Sequence, residues 1–154
     1  MYTFMNKLTL LNLGCGNDKE GFGVDVNPIY KPDIISDVCK PLPIKILFDI
    51  VKAIEVIEHV KDPRSLIENM LRHVKSDGIC IIETPNALGY EISFRFRGRK
   101  KINNSVNQYL TPCVIKGIIN RCGGKVVYQN IGSRYWLKHI EIRFKGVSNG
   151  KRMD

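Results

Sequence analysis

A chain of 154 residues, 44% apolar and 25% charged, has the length and composition of one globular domain with a single core, spanning 1–154, and not those of a disordered tail. It contains no apolar run of about eighteen residues, and Met1-Tyr2-Thr3-Phe4-Met5-Asn6-Lys7 has neither the hydrophobic stretch nor the cleavage site of an export signal, so a cytoplasmic protein with no membrane span is expected. A formal charge of +9 favours anionic partners such as nucleic acid, a phosphorylated sugar or nucleotide, or an acidic membrane surface; a basic, solvated face is the alternative.

The first element in chain order is Leu8 to Leu13, an apolar run that reads as a buried strand entering the tight turn Gly14-Cys15-Gly16-Asn17-Asp18. Phe22 to Val26 forms a second strand closed by Asn27-Pro28, Asp33 to Ser36 a shorter third, and Asp49 to Ile54 a fourth. Asp62 as N-cap and Pro63 at the first helical position open a helix over 62–77, with Leu66, Ile67, Met70, Leu71 and Val74 on one face and Gly78 past its end. Ile79 to Ile82 is a strand ended by Glu83-Thr84-Pro85-Asn86, and 87–110 is a basic, irregular insertion holding Arg95, Arg97, Arg99, Lys100 and Lys101. Thr111-Pro112 starts a second helix, with Val114, Ile115, Ile118 and Ile119 on one face and Cys122-Gly123-Gly124 as its stop; strands at Lys125 to Gln129 and His139 to Phe144 follow. Strands alternating with helices predict an α/β sheet, parallel for the most part. The five cysteines, Cys15, Cys39, Cys80, Cys113 and Cys122, are scattered without a C-x-x-C pair, as expected of reduced thiols.

Several of these segments, in this order, resemble the class I, Rossmann-like S-adenosylmethionine-dependent methyltransferases, in particular the compact small-molecule type. They are Leu11 to Gly16, Gly23-Val24-Asp25-Val26, Ser36-Asp37-Val38 with Lys40-Pro41-Leu42-Pro43, Phe48-Asp49 leading to Glu55-Val56-Ile57-Glu58-His59-Val60, Gly78 with Glu83-Thr84-Pro85-Asn86, and Tyr109-Leu110-Thr111-Pro112. The resemblance implies S-adenosylmethionine as cofactor, held by Leu13, Gly14, Cys15, Gly16, Asp25, Val26, Asn27, Asp37, Val38 and Glu55. Gly14 and Gly16 let backbone approach the methionine and ribose parts, and Asp25 is placed to accept the ribose hydroxyl protons. Asp37 and Val38 lie where the family meets the adenine, and Glu55 where it borders the methionine end. A dinucleotide-binding dehydrogenase is the rival for the same turn, but no third glycine follows Gly16 to open a helix N-terminus for a pyrophosphate.

His59 is the candidate catalytic base, imidazole being the side chain suited to proton removal at neutral pH; His73 and His139 read as structural. Glu55, Glu58 and His59 also look like the metal site of certain ubiquinone-pathway and small-RNA O-methyltransferases, but the further histidine of the latter is missing from Asn104 to Tyr109, and no metal is expected. The acceptor is expected to be anionic, sugar-linked or nucleic acid. Tyr90, Arg95 and Arg97 are candidate contacts, and nucleic acid is a possible partner through Arg95 to Lys101.

The seven residues Asn17 to Gly23 are too few for a helix of the usual length, and Asn27 to Pro32 are fewer still. A reduced fold follows, with the helices after strands one and two shortened or missing and the helix before Leu8 gone as well. One sheet face is then thinly covered. Lys52, in an otherwise apolar strand where the family has an aliphatic residue, fits a face meeting water or another subunit, and a homodimer or partner subunit is expected there. The alternative function is a non-catalytic, methyltransferase-like binding or regulatory subunit.

Overall fold

The computed structural model describes residues 8–86, 110–131 and 139–147, so the basic insertion, with Tyr90 and Arg95 to Lys101, lies outside the described residues. Strand β1 (Leu10–Leu13) is followed by β2 (Phe22–Asp25), a single 3-10 turn at Pro28–Tyr30, β3 (Ile34–Ile35) and β4 (Phe48–Ile54). Helix α1 (Pro63–His73), β5 (Val74–Pro85), helix α2 (Pro112–Arg121), β6 (Gly124–Ile131) and β7 (His139–Gly146) complete the order. The strands form one sheet in the order β3-β2-β1-β4-β5-β7-β6, parallel from β3 to β5. β7 runs antiparallel to both of its neighbours.

Alternation along the strands separates two faces. Leu11, Leu13, Val24, Val51, Ala53, Cys80, Ile82, Ile140, Ile142 and Phe144 are all buried and share one core with Leu66, Ile67 and Met70 of α1 and Ile115 and Ile119 of α2. Both helices therefore cover the same face. On the other face Ile50, Ile54, Ile79 and Ile81 are only half-buried, and among the described residues no helix packs there. The two connections are reduced as the sequence predicts, β1 passing to its parallel neighbour β2 through a loop and β2 being followed by the 3-10 turn alone before β3, while the expectation about a helix before Leu8 lies outside the described residues.

α1 starts at the predicted cap, where the Asp62 carboxylate accepts the Arg64 and Ser65 N–H groups and the Ser65 hydroxyl. It ends earlier than predicted, at His73. Val74, a β-branched residue, adopts extended backbone and pairs with Phe48, so 74–77 belong to β5. Gly78 is not a helix stop but an interior strand position, where a Cβ would stand 2.7 Å from the Asp49 carbonyl oxygen. The helix also holds the long β3–β4 connection, because buried Asn69 donates from Nδ2 to the Val38 carbonyl at 2.8 Å and the Lys40 carbonyl at 2.7 Å. His73 is buried, its Nδ1 2.8 Å from the Asn69 carbonyl, and acts structurally as predicted.

Candidate active site

The chain leaves β1 toward β2 and β3 on one side of the sheet and returns through β4 toward β5 on the other. The order reverses between β1 and β4, and in open parallel sheets ligands bind outside the strand carboxyl ends at such a point. The segments emerging there are Gly14 to Gly16 after β1 and Glu55 to His59 after β4.

These two segments touch through an absent side chain. Gly14 has φ +70°, and a Cβ on it would fall 2.4 Å from Val56 Cγ2, so glycine is needed for both its conformation and its packing against the β4 loop. Gly16 has φ +51°, but a Cβ there would meet nothing within 4 Å. The turn thus has a packed glycine and an open one, and a ligand has free access to backbone at the second. Leu13, ahead of both, has its side chain fully buried in the core, which leaves only its backbone toward the site.

Asp25, only 8% exposed at the end of β2, ties the turn down. Its Oδ2 accepts the Gly16 N–H at 2.9 Å and its Oδ1 the Asn27 N–H at 2.8 Å. Each oxygen keeps a further lone pair for a donor from outside. Gly14 and Cys15 both donate to the Val24 carbonyl, and Cys15 is buried against Gly23, so the turn is stitched to β2 along its length. Val26 is 69% exposed beside Asp25, an apolar surface free to lie against a flat ligand. Asn27 is engaged in capping the 3-10 turn, and Asp37 accepts the Cys39 N–H with its own Oδ1. Val38 is buried in the core with its carbonyl held by Asn69, so its side chain faces away from solvent.

After β4, Glu55 takes a left-handed backbone (φ +56°) and its N–H donates to the Glu83 carbonyl at 2.8 Å. Burial, then the neighbouring Glu58, pushes the Glu55 carboxyl up to about 7. Glu58 is 2% exposed and accepts the Thr84 hydroxyl at 2.9 Å, while its Oε1 lies 3.8 Å from Nε2 of the 40% exposed His59. His139, predicted to be structural, has Nδ1 3.2 Å from Glu55 Oε1. Its place at the start of β7, opposite Pro85, carries it there, a proximity that no local pattern could announce. Among the described residues no three His, Cys, Asp or Glu side chains converge as a metal site. A cavity of about 150 Å³ lined by Asp18, Lys19, Gly21, Gly23, Lys31 and Asp33 includes Cys15 but none of the residues around Glu55, and is smaller than the roughly 300–1,000 Å³ typical of ligand pockets.

A methyltransferase domain model matches residues 6–129, most of the chain. The ubiquinone biosynthesis O-methyltransferase of Rickettsia typhi is 30% identical over 108 residues, covering 55% of this chain and 44% of that protein. The chain therefore spans about half the length of the curated relatives it matches. Among solved structures, an S-adenosylmethionine-dependent methyltransferase from Clostridium acetobutylicum superposes with a TM-score of 0.71 at 12% identity, covering 90% of this chain and 83% of that one. A methyltransferase solved in complex with the Trm112 activator of Haloferax volcanii gives 0.72 at 14% identity, covering 94% and 84%. At these identities the two structures speak for the fold.

Two outcomes follow from the site. Gly14→Ala should destabilise by about 2–4 kcal/mol in urea unfolding, the sum of backbone strain and overpacking, and Gly16→Ala by about 1 kcal/mol, from strain alone; Val56→Ala should rescue part of the first loss and none of the second. Equal losses at the two glycines would contradict the packing described. For Glu55, a folded pKa above the unfolded value means that the folded state holds the extra proton between about pH 4.5 and about 7, so its carboxyl opposes folding increasingly as pH rises through that window. Glu55→Gln should therefore raise the melting temperature at pH 8 and lose that advantage at pH 4, measured by thermal scans of both proteins.

With the matched model covering most of its length and the fold agreeing, the chain belongs to the methyltransferase domain family.

Proposed function

We propose that the chain transfers a methyl group from S-adenosylmethionine to a hydroxyl of a small anionic or sugar-linked acceptor. The observation that carries this reading is the pairing, at the point where strand order reverses, of an open Gly16 with a nearly buried Asp25 that already holds its N–H. S-adenosylmethionine supplies an activated methyl carbon on a positive sulfur and carries no phosphate, so a glycine turn that opens into a loop instead of a helix suits it. Asp25 would accept the ribose hydroxyls through its remaining lone pairs, and exposed Val26 would lie against the adenosine. Asp37 and the Val38 backbone line the adenine end, and Glu55 the methionine end. O-methyl transfer is favoured by the name of the Rickettsia relatives, and an anionic acceptor by the +9 charge.

For a hydroxyl acceptor the protein has to position the oxygen in line with the methyl group and receive its proton. His59 is the base in this reading. Its ring is exposed enough to meet an acceptor, and Glu58, 3.8 Å away, stabilises the imidazolium that forms as the acceptor oxygen loses its proton.

Calorimetric titration with S-adenosylmethionine should show micromolar binding that Asp25→Ala weakens beyond detection. Transfer of labelled methyl to a panel of phenols, sugar phosphates and RNA should fall about 10²–10⁴-fold in His59→Ala. A wild-type chain that binds no S-adenosylmethionine would instead indicate a non-catalytic module, and full activity in His59→Ala would move the base elsewhere.

We further propose that a second copy of the chain covers the open sheet face, where Leu10, Ile50, Ile54, Ile79 and Ile81 stand half-buried. Sedimentation equilibrium should give twice the 17.6 kDa of one chain, and a monomer up to high micromolar concentration would contradict this.

A further inference from the structure

Lys52 sits in the middle of β4 on the open face, yet its side chain is only 12% exposed. The sequence leads one to expect it at water or a subunit boundary; it turns inward to its own chain. Its Nζ lies 2.8 Å from Asp18 Oδ2 and 2.6 Å from Glu20 Oε2, both on the loop that replaces the helix after β1. Asn12, its neighbour in the β1–β4 register, is buried and donates from Nδ2 to the same Asp18 oxygen at 3.1 Å. The other Asp18 oxygen accepts the Glu20 N–H at 2.9 Å, and the Asp18 N–H donates to the Cys15 carbonyl at 2.9 Å. One carboxylate, two residues past Gly16, is thereby gripped by β1, by β4 and by its own loop.

A helix after the glycine turn would hold that turn through backbone hydrogen bonds and an apolar stripe packed on the sheet. Asn17-Asp18-Lys19-Glu20-Gly21 has neither, so another interaction has to offset the entropy of fixing the loop. Exposed ion pairs contribute little to this because both partners are flexible and solvated. Lys52 differs, since a charge on a central strand with little solvent contact is costly unless an acid meets it, and among the described residues the acids it meets are both on this loop.

We propose that Lys52 is a positioning residue for the cofactor turn: through Asp18 and Glu20, with Asn12, it holds Cys15 and Gly16 where a helix would otherwise hold them. The proposal rests on the assignment of that turn to S-adenosylmethionine. It makes the sheet face opposite the helices part of the cofactor site's support and assigns a ligand-binding consequence to a residue whose ammonium is taken up by the loop's own carboxylates.

S-adenosylhomocysteine, titrated calorimetrically into the wild type, Lys52→Met, Lys52→Arg and Asp18→Asn at low and high sodium chloride, tests it. Lys52→Met should stay folded by circular dichroism, with an unchanged or raised melting temperature because a half-buried charge is removed. Its dissociation constant should rise about tenfold, Asp18→Asn should rise by a similar factor, and Lys52→Arg should stay within about threefold of the wild type. Salt should weaken binding to the wild type and leave Lys52→Met nearly unaffected. Binding by Lys52→Met equal to that of the wild type, or no rescue by arginine, overturns the proposal while the cofactor assignment stands. No binding by the wild type overturns the assignment and the proposal with it.

Discussion

The site depends on one carboxylate. Asp25 closes β2 and, nearly buried, accepts one N–H from the glycine turn after β1 and another from the start of the β2–β3 connection. Those two hydrogen bonds fix the separation of the loops that follow β1 and β2. Because the acceptor is charged, each is stronger than a neutral bond of the same geometry. The turn is secured from the opposite side by the contact of Gly14 with Val56, so the β1 loop is held between β2 and the β4 loop while its second glycine stays open.

The economy of the fold shows in how its two faces are treated. One carries both helices and a continuous apolar core from β2 to β6, including the β3–β4 connection pinned by Asn69. On the other, no helix packs among the described residues, and the support is local and polar: Lys52 and Asn12 meeting Asp18 and Glu20. Polar anchoring of this kind fixes geometry with less burial than packing requires, and leaves the isoleucines of that face half-buried.

Much of this was legible in the sequence because it follows from local chemistry. The apolar run into Gly14-Cys15-Gly16, the Asp62-Pro63 and Thr111-Pro112 helix starts, and the shortness of Asn17 to Gly23 each specify a structure within a few residues. The reading failed where distant segments decide. Gly78 has the look of a helix stop until the close approach of the Asp49 carbonyl shows why a strand needs it, and Val74 fits the helical spacing until its pairing with Phe48 is known. The pairs His139 with Glu55 and Lys52 with Asp18 join residues tens of positions apart, so neither partner carries a signal of the other.

The central claim, that the β1 turn and the Asp25 carboxylate together form the cofactor site, is tested most directly by following backbone amides in nuclear magnetic resonance as S-adenosylhomocysteine is added. The amides of Gly16 and Asn27, both bound to Asp25, should shift furthest and saturate together with those of Val26 and Val38, while α2 and β6 stay unchanged. Saturable shifts confined to other parts of the sheet, with Gly16 and Asn27 unmoved, would contradict it.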